Sequence, residues 1–291
     1  VATPASREGL IVLNNLFLIT ACGSVLLGTL YPLVSEWLND TKMTVGAPYF
    51  NLTFIPLMIL PIIFAGIAPF TPWKKMVLST LRKPLVPIAI AAVTAAILTF
   101  IMASTHKAYA MLGFTLAAWL AIASIRLVIT RNFRANLAVA IAHFGVAVFI
   151  CGVTGASLWK TEKEQWLQTG QSITLDDYHL TLEEVSQTSD NNHSADIARF
   201  TLKSGDTLLA RLLPEYRHYP LSDTKTSETA IHGHFGGDVY AVIGESGDRG
   251  TATRVYHLPM IHFIWLGFVL MALGGIVAIV ENRGKKIATS I

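Results

Sequence analysis

Apolar residues in this chain gather into six runs, at about 10–34, 50–70, 84–104, 108–130, 136–158 and 260–280. Roughly twenty residues in an α-helix span the hydrocarbon core at ~1.5 Å per residue, so each run predicts a transmembrane helix. Between the fifth and sixth runs the period changes. Ser172-Ile173-Thr174-Leu175, Tyr178-His179-Leu180-Thr181-Leu182, Ala198-Arg199-Phe200-Thr201-Leu202 and Val239-Tyr240-Ala241-Val242-Ile243 alternate, as strands with one buried face do. Ser204-Gly205-Asp206 and Ser246-Gly247-Asp248 supply turns between them, and Asp190-Asn191-Asn192 reads as an exposed turn. The pattern predicts a polytopic α-helical membrane protein with a small β-rich extracytoplasmic domain, an antiparallel sandwich or barrel. Its expected parts are five transmembrane helices over 1–159, the β-rich domain over 160–259, and the last helix with a cytoplasmic tail over 260–291.

Composition agrees with lipid as the main solvent. Of the 291 residues 52% are hydrophobic and 14% charged, against about 25% charged in a soluble domain. A net charge of +3, with no basic cluster interleaved with aromatics, argues against a nucleic-acid partner. Lys74, Lys75, Arg82 and Lys83 follow the second run, Arg126, Arg131 and Arg134 the fourth, and Arg283, Lys285 and Lys286 the sixth. By the positive-inside rule these sides are cytoplasmic, which puts Arg7 inside and the 35–49 loop, the turn at His106 and 160–259 outside. That last segment, from 161 to 258, holds 15 acids against 8 Lys and Arg, a charge of −7. The chain begins at Val1 with no signal peptide after it, so we read it as the C-terminal portion of a longer protein.

Pro56, Pro61 and Pro69 each remove a backbone donor from the second run, and should bend or break a helix that other helices then bury. Candidate chemistry centres on His143, in Ala140-Ile141-Ala142-His143-Phe144-Gly145, about 12 Å from the cytoplasmic edge of the fifth run. An imidazole at that depth is hydrogen-bonded, lines a wet path or ligates a metal, and the residues alone leave these readings open. Ala138, Ala142, Gly145, Gly152 and Ala156 beside it are small enough to admit another helix or a flat cofactor, and helix packing is the simpler reading. Asn14 and Asn15 in the first run suit interhelical hydrogen bonds or a polar cofactor group. His218, His232 and His234 read as surface histidines of the outer domain, with His257 and His262 flanking the last run; no cysteine or tight third ligand marks a zinc site. Cys22 and Cys151 form no CxxC, and GxSxG, HExxH and Walker A patterns are absent.

The order of motifs resembles the C-terminal half of the CcmF/NrfE family of cytochrome c maturation proteins. Ser6-Arg7-Glu8-Gly9 precedes Asn14-Asn15, then Gly28-Thr29-Leu30-Tyr31-Pro32-Leu33 and Val45-Gly46-Ala47-Pro48-Tyr49-Phe50-Asn51. Ala142-His143-Phe144-Gly145, Glu228-Thr229-Ala230-Ile231, Asp238 to Glu245, Phe263-Ile264-Trp265-Leu266-Gly267 and Met271-Ala272-Leu273-Gly274-Gly275 continue it. The resemblance implies part of a haem lyase in the bacterial inner membrane, not self-sufficient as this chain, that helps attach haem to apocytochrome c in the periplasm. It implies an intramembrane haem b with His143 as one axial ligand of the iron, and electrons from quinol passed to the haem being attached. Implied partners are a haem chaperone of CcmE type, an apocytochrome-handling subunit of CcmH type, apocytochrome c, and the N-terminal half that carries the tryptophan-rich WWD segment, its flanking histidines and the other transmembrane ligand. None of those N-terminal features is in this chain, and nothing transfers to His232 or His234. The competing readings are a transporter and a haem-free scaffold. Matched pairs of broken helices in two halves would mark a transporter, and only the second run carries such a break.

Overall fold

The computed structural model describes residues 6–40, 43–73, 78–102, 107–130 and 133–288. Lys74, Lys75, His106 and Arg131 lie outside the described residues. The chain divides into two compact units, Val1–Thr154 with Phe263–Ile291, and Gly155–His262.

Six helices among the described residues are long and apolar enough to cross a membrane, and each falls on one of the apolar runs. The first, α1 (Arg7–Asn39), opens where Ser6 Oγ accepts from Gly9 N–H at 3.2 Å. It closes at Asp40, whose left-handed backbone (φ 50°) turns its N–H back to Glu36 O. In α2 (Ala47–Ile67) the helix continues through Pro56 and Pro61, and regularity ends only at a 3-10 turn, Ala68–Phe70, which contains Pro69. The expected breaks therefore reduce to one, because an isolated proline deletes a single ladder bond while the turns on either side keep theirs. Two fixings hold α2. Tyr49 Oη donates to Ser24 O of α1 at 2.9 Å, and Trp119 of α4 (Lys107–Thr130) donates its indole N–H to Ile63 O at 3.3 Å. Pro61 and Gly66 are buried there, whereas Leu52 is exposed, so only part of α2 is covered by other helices of this chain.

Leu81 and Ile88 of α3 (Leu78–Met102), Ala123 and Leu127 of α4, Phe70 and Ala140 of α5 (Phe133–Leu158) form one buried cluster. The opposite side of α5 lies on α6 (Ile261–Ala288). Here backbones approach so closely that glycine is required. A Cβ on Gly145 would sit 2.7 Å from Met271 N, and one on Gly267 would sit 2.7 Å from both Phe149 N and Phe149 Cβ. Ala138 and Ala142 continue the stripe against Gly274. Small residues are how membrane helices maximise contact when lipid offers no hydrophobic driving force.

The second unit is a sandwich of two antiparallel sheets. One holds β1 (Thr161–Leu167), β10 (Gly250–Leu258), β9 (Gly237–Gly247) and β8 (Ala230–His234), in that order. The other runs β2 (Ser172–Leu175), β3 (Tyr178–Ser189), β4 (Ser194–Ser204), β6 (Glu215–Tyr219) and β7 (Thr224–Glu228), with β5 (Thr207–Leu212) also on β4. The alternation noted in the sequence is the inward face: Leu180 and Leu182, Phe200 and Leu202, Val239 and Ile243 are fully buried in one core. β1 shows no such alternation, being exposed along five consecutive positions. As an edge strand it is held by pairing with β10 and by Arg254, which bonds Glu164 at 2.6 Å, and its charges deter pairing with another edge.

Replacing Phe200 by Ala should cost the sandwich about 3–5 kcal/mol through lost burial and a cavity. Native-state hydrogen exchange of the β3, β4 and β9 amides would read this as faster exchange, with α5 and α6 unchanged.

Candidate functional site

His143 lies on the tenth residue after the start of α5 and is half-buried. Helical geometry sets its place. At ~100° per residue it shares a side with Ala140, Ala147 and Thr154 and points away from Ala138, Ala142 and Gly145, which face α6. Ala140 packs into the α3–α4 cluster, Ala147 is buried, and Thr154 lies against Gly113 of α4. The small residues thus serve helix packing, and His143 lies on the side of α5 turned away from α6, half-buried between Ala140 and Ala147. Among the described residues the imidazole has no hydrogen-bond partner. A half-buried, unpartnered ring nitrogen bordered by two alanines, one helical turn away on either side, suits ligation of a flat macrocycle's metal at one axial position.

Asn14 is half-buried and Asn15 exposed on α1. Neither makes a side-chain hydrogen bond among the described residues, so no such bond joins them to His143 or to another helix of this chain. The two cysteines are free.

A second constellation was not visible in the sequence. At one end of the sandwich Tyr178 Oη and His234 Nε2 share a hydrogen bond of 2.6 Å, and the Tyr178 ring lies edge-on to both His234 and His257. His257 Nδ1 donates to Asp176 Oδ2 at 2.9 Å, an oxygen that also accepts from Thr161 Oγ1 at 2.6 Å. His262 donates to the carbonyl of His234 at 2.7 Å and lies 3.2 Å from Asp238 Oδ1; His232 stacks on His234. His257 is not a surface histidine, with 12% of its side chain exposed, while His218 is at 39%. His234 Nδ1 and His257 Nε2 are buried without a hydrogen bond among the described residues. Among those residues no group of three or more His, Cys, Asp or Glu is placed to hold a metal ion. The only local signal was His232-Gly233-His234; the other members come from strand ends far apart in sequence.

Burial would raise the Asp176 carboxyl, but the hydrogen bonds from Thr161 and His257 outweigh it and hold the group below the usual aspartate range. Burial, with Asp177 and Asp176 nearby, pushes the Tyr178 phenol up.

The chain is similar to known proteins along nearly its whole length. Residues 158–259 match the family described as CcmF C-terminal beta-sandwich. Cytochrome c-type biogenesis protein CcmF of Pseudomonas fluorescens is 32% identical over 96% of this chain and 44% of its own length. CcmF of Escherichia coli K12 is 31% identical over 97% and 45%, and NrfE of Haemophilus influenzae 30% identical over 97% and 45%. The solved structure of a cytochrome c haem lyase CcmF shares the fold, with a TM-score of 0.70 at 21% identity over 94% of this chain and 46% of that one. The chain therefore spans less than half the length of the relatives it matches.

A depressed folded-state value means that Asp176 stabilises the sandwich above the ordinary carboxyl range near 4 and that this is lost as pH falls through the lower folded value. Asp176→Asn should flatten that acid limb, and hydrogen exchange of the β2 and β10 amides between neutral and acid pH would show it. From its spans and its sandwich the chain is a multi-pass membrane protein, and along nearly its whole length it is similar to the C-terminal half of the CcmF/NrfE cytochrome c-type biogenesis proteins.

Proposed function

We propose that this chain is the C-terminal part of a cytochrome c haem lyase of the bacterial inner membrane, and that His143 binds the iron of an intramembrane haem b. The observation that carries this is the imidazole of His143, well inside α5 on the side turned away from α6 and without a hydrogen-bond partner among the described residues. A buried polar group without an internal partner is costly in lipid, and a metal–nitrogen bond removes that cost. His143 acts as a neutral imidazole with one ring nitrogen turned to the iron. Ala140 and Ala147 leave the ring space on the helix surface, and the α5–α6 contact fixes the helix that carries it. A haem held there would supply a one-electron redox centre, with quinol as the electron source for reducing the haem being attached. A second iron ligand and the tryptophan-rich segment would come from an N-terminal half like that of the relatives, which are about twice as long as the part matched here. Asn14 and Asn15, which make no side-chain hydrogen bond among the described residues, would bond an N-terminal half or a polar edge of the cofactor.

The sandwich is the periplasmic docking surface. Its charge of −7 suits a basic partner, such as an apocytochrome segment or an apocytochrome-handling subunit of CcmH type, and the haem reaches the assembly from a chaperone of CcmE type. Reporter fusions at Asp223 and after Lys286 should report opposite sides of the membrane; the same side for both would overturn this topology.

The chain alone should hold haem poorly, whereas the complex with its N-terminal half should give a six-coordinate b-type spectrum. His143→Ala in that complex should lower haem per protein several-fold or alter the reduced-minus-oxidised spectrum. The helix should persist, since alanine is the best helix former. An unchanged spectrum at full occupancy would make His143 structural and overturn the ligand assignment.

A further inference from the structure

The strands give the sandwich two distinct ends. At one end lie Thr161, Asp176, the β8–β9 turn and Leu258, and both connections to the flanking helices leave from here, with β1 opening three residues after α5 and α6 opening three residues after β10. At the other end lie the 190–193 and 220–223 turns. A fully exposed phenylalanine stands at the first end. Phe235 occupies the β8–β9 turn, between the paired residues His234 and Gly237, and keeps all of its free-chain surface.

This turn is locked to the start of α6. His262, in the first turn of that helix, donates to the His234 carbonyl at 2.7 Å. Gly237, at φ +137°, lies so close that a Cβ there would be 2.8 Å from Pro259 Cα and 2.6 Å from Leu258 O. Phe235 therefore directly follows the residue whose carbonyl is bonded by His262, and His262 lies at the start of the segment Ile261–Glu281, which is long and apolar enough to cross a bilayer. Ile231, on β8 four residues before it, is also exposed, and Trp159, directly after α5, is 40% exposed. Trp and Tyr gather at the two borders of a membrane span, and Phe is among the apolar residues that surface-lying segments bury at the boundary of headgroups and acyl chains. The backbone of the turn suits that setting, since the His234 carbonyl is bonded and the strands on either side are paired. Asp177 and Asp206, on turns of the other sheet at this end, are exposed and limit immersion to the hairpin tip.

We propose that the β8–β9 tip is an interfacial membrane anchor, with Phe235 inserted at the boundary of headgroups and acyl chains beside the start of α6. This rests on α6 crossing the membrane and is independent of haem. The partner is the lipid surface itself, because the exposed ring continues the apolar surface of a transmembrane helix. The test uses the full chain, with Cys22 and Cys151 replaced by Ala, in vesicles of phosphatidylethanolamine and phosphatidylglycerol. A nitroxide is attached at Phe235→Cys or, as an aqueous reference, at Leu221→Cys, an almost fully exposed site at the other end of the sandwich. Both positions are open, so the label displaces no packed group. The ratio of oxygen to nickel-chelate accessibility should be several-fold higher at 235 than at 221. Equal ratios would place the tip in water and overturn the proposal. Low access to both reagents with an immobilised line shape would mean that protein covers the tip, and would overturn it equally.

Discussion

The pairing of β1 with β10 is the contact on which the rest of the molecule depends. It places Thr161 opposite His257, so the strand leaving α5 and the strand entering α6 run side by side for seven residue pairs. The two ends of an inserted domain of about a hundred residues are thereby brought to one strand spacing, ~4.8 Å. Independently, α5 and α6 meet through Gly145 and Gly267 at backbone contact. The same pairing brings Thr161 and His257 onto one carboxylate, Asp176, which arrives from the turn between β2 and β3.

The two faces of α5 differ in what they meet. The face of Ala138, Ala142, Gly145 and Gly152 is consumed by α6. The face of Ala140, His143, Ala147 and Thr154 is only partly covered by α3 and α4, and there the imidazole is half-buried. A histidine turned towards α6 would have met backbone at less than 3 Å and had no room for any ligand.

Much of this architecture was legible because lipid imposes a coarse and severe rule: a chain that crosses it must do so as a long apolar helix. The six spans fall within a few residues of the apolar runs for that reason. Alternation disclosed β2, β3, β4 and β9, whose inner faces are buried. It did not disclose β1, exposed along five consecutive positions, or the short β7 and β8, which hold no fully buried residue, although Ala230 of β8 packs partly buried against the core. The histidine constellation was illegible for a different reason: Asp176, Tyr178, His234, His257 and His262 become neighbours only through sheet register, which no local pattern encodes. Prolines misled in the opposite direction. Pro56 and Pro61 were expected to disrupt α2, yet the surrounding ladder absorbs them. His143 was found because a solitary imidazole in an apolar run is conspicuous, while its unpartnered state became visible only in three dimensions.

The length of α1 carries a consequence of its own. Thirty-three continuous helical residues measure about 50 Å, against a hydrocarbon thickness near 30 Å. Roughly 20 Å of rigid rod must be taken up by tilt or must protrude into water as a stalk. Pro32 sits inside that rod, seven residues before its end, at a place where a lost ladder bond softens bending. Bilayer thickness thereby becomes a mechanical variable: a thicker membrane swallows the stalk and sets the helix upright, whereas a thinner one leaves more of it, with Trp37 and Leu38, standing clear of the lipid.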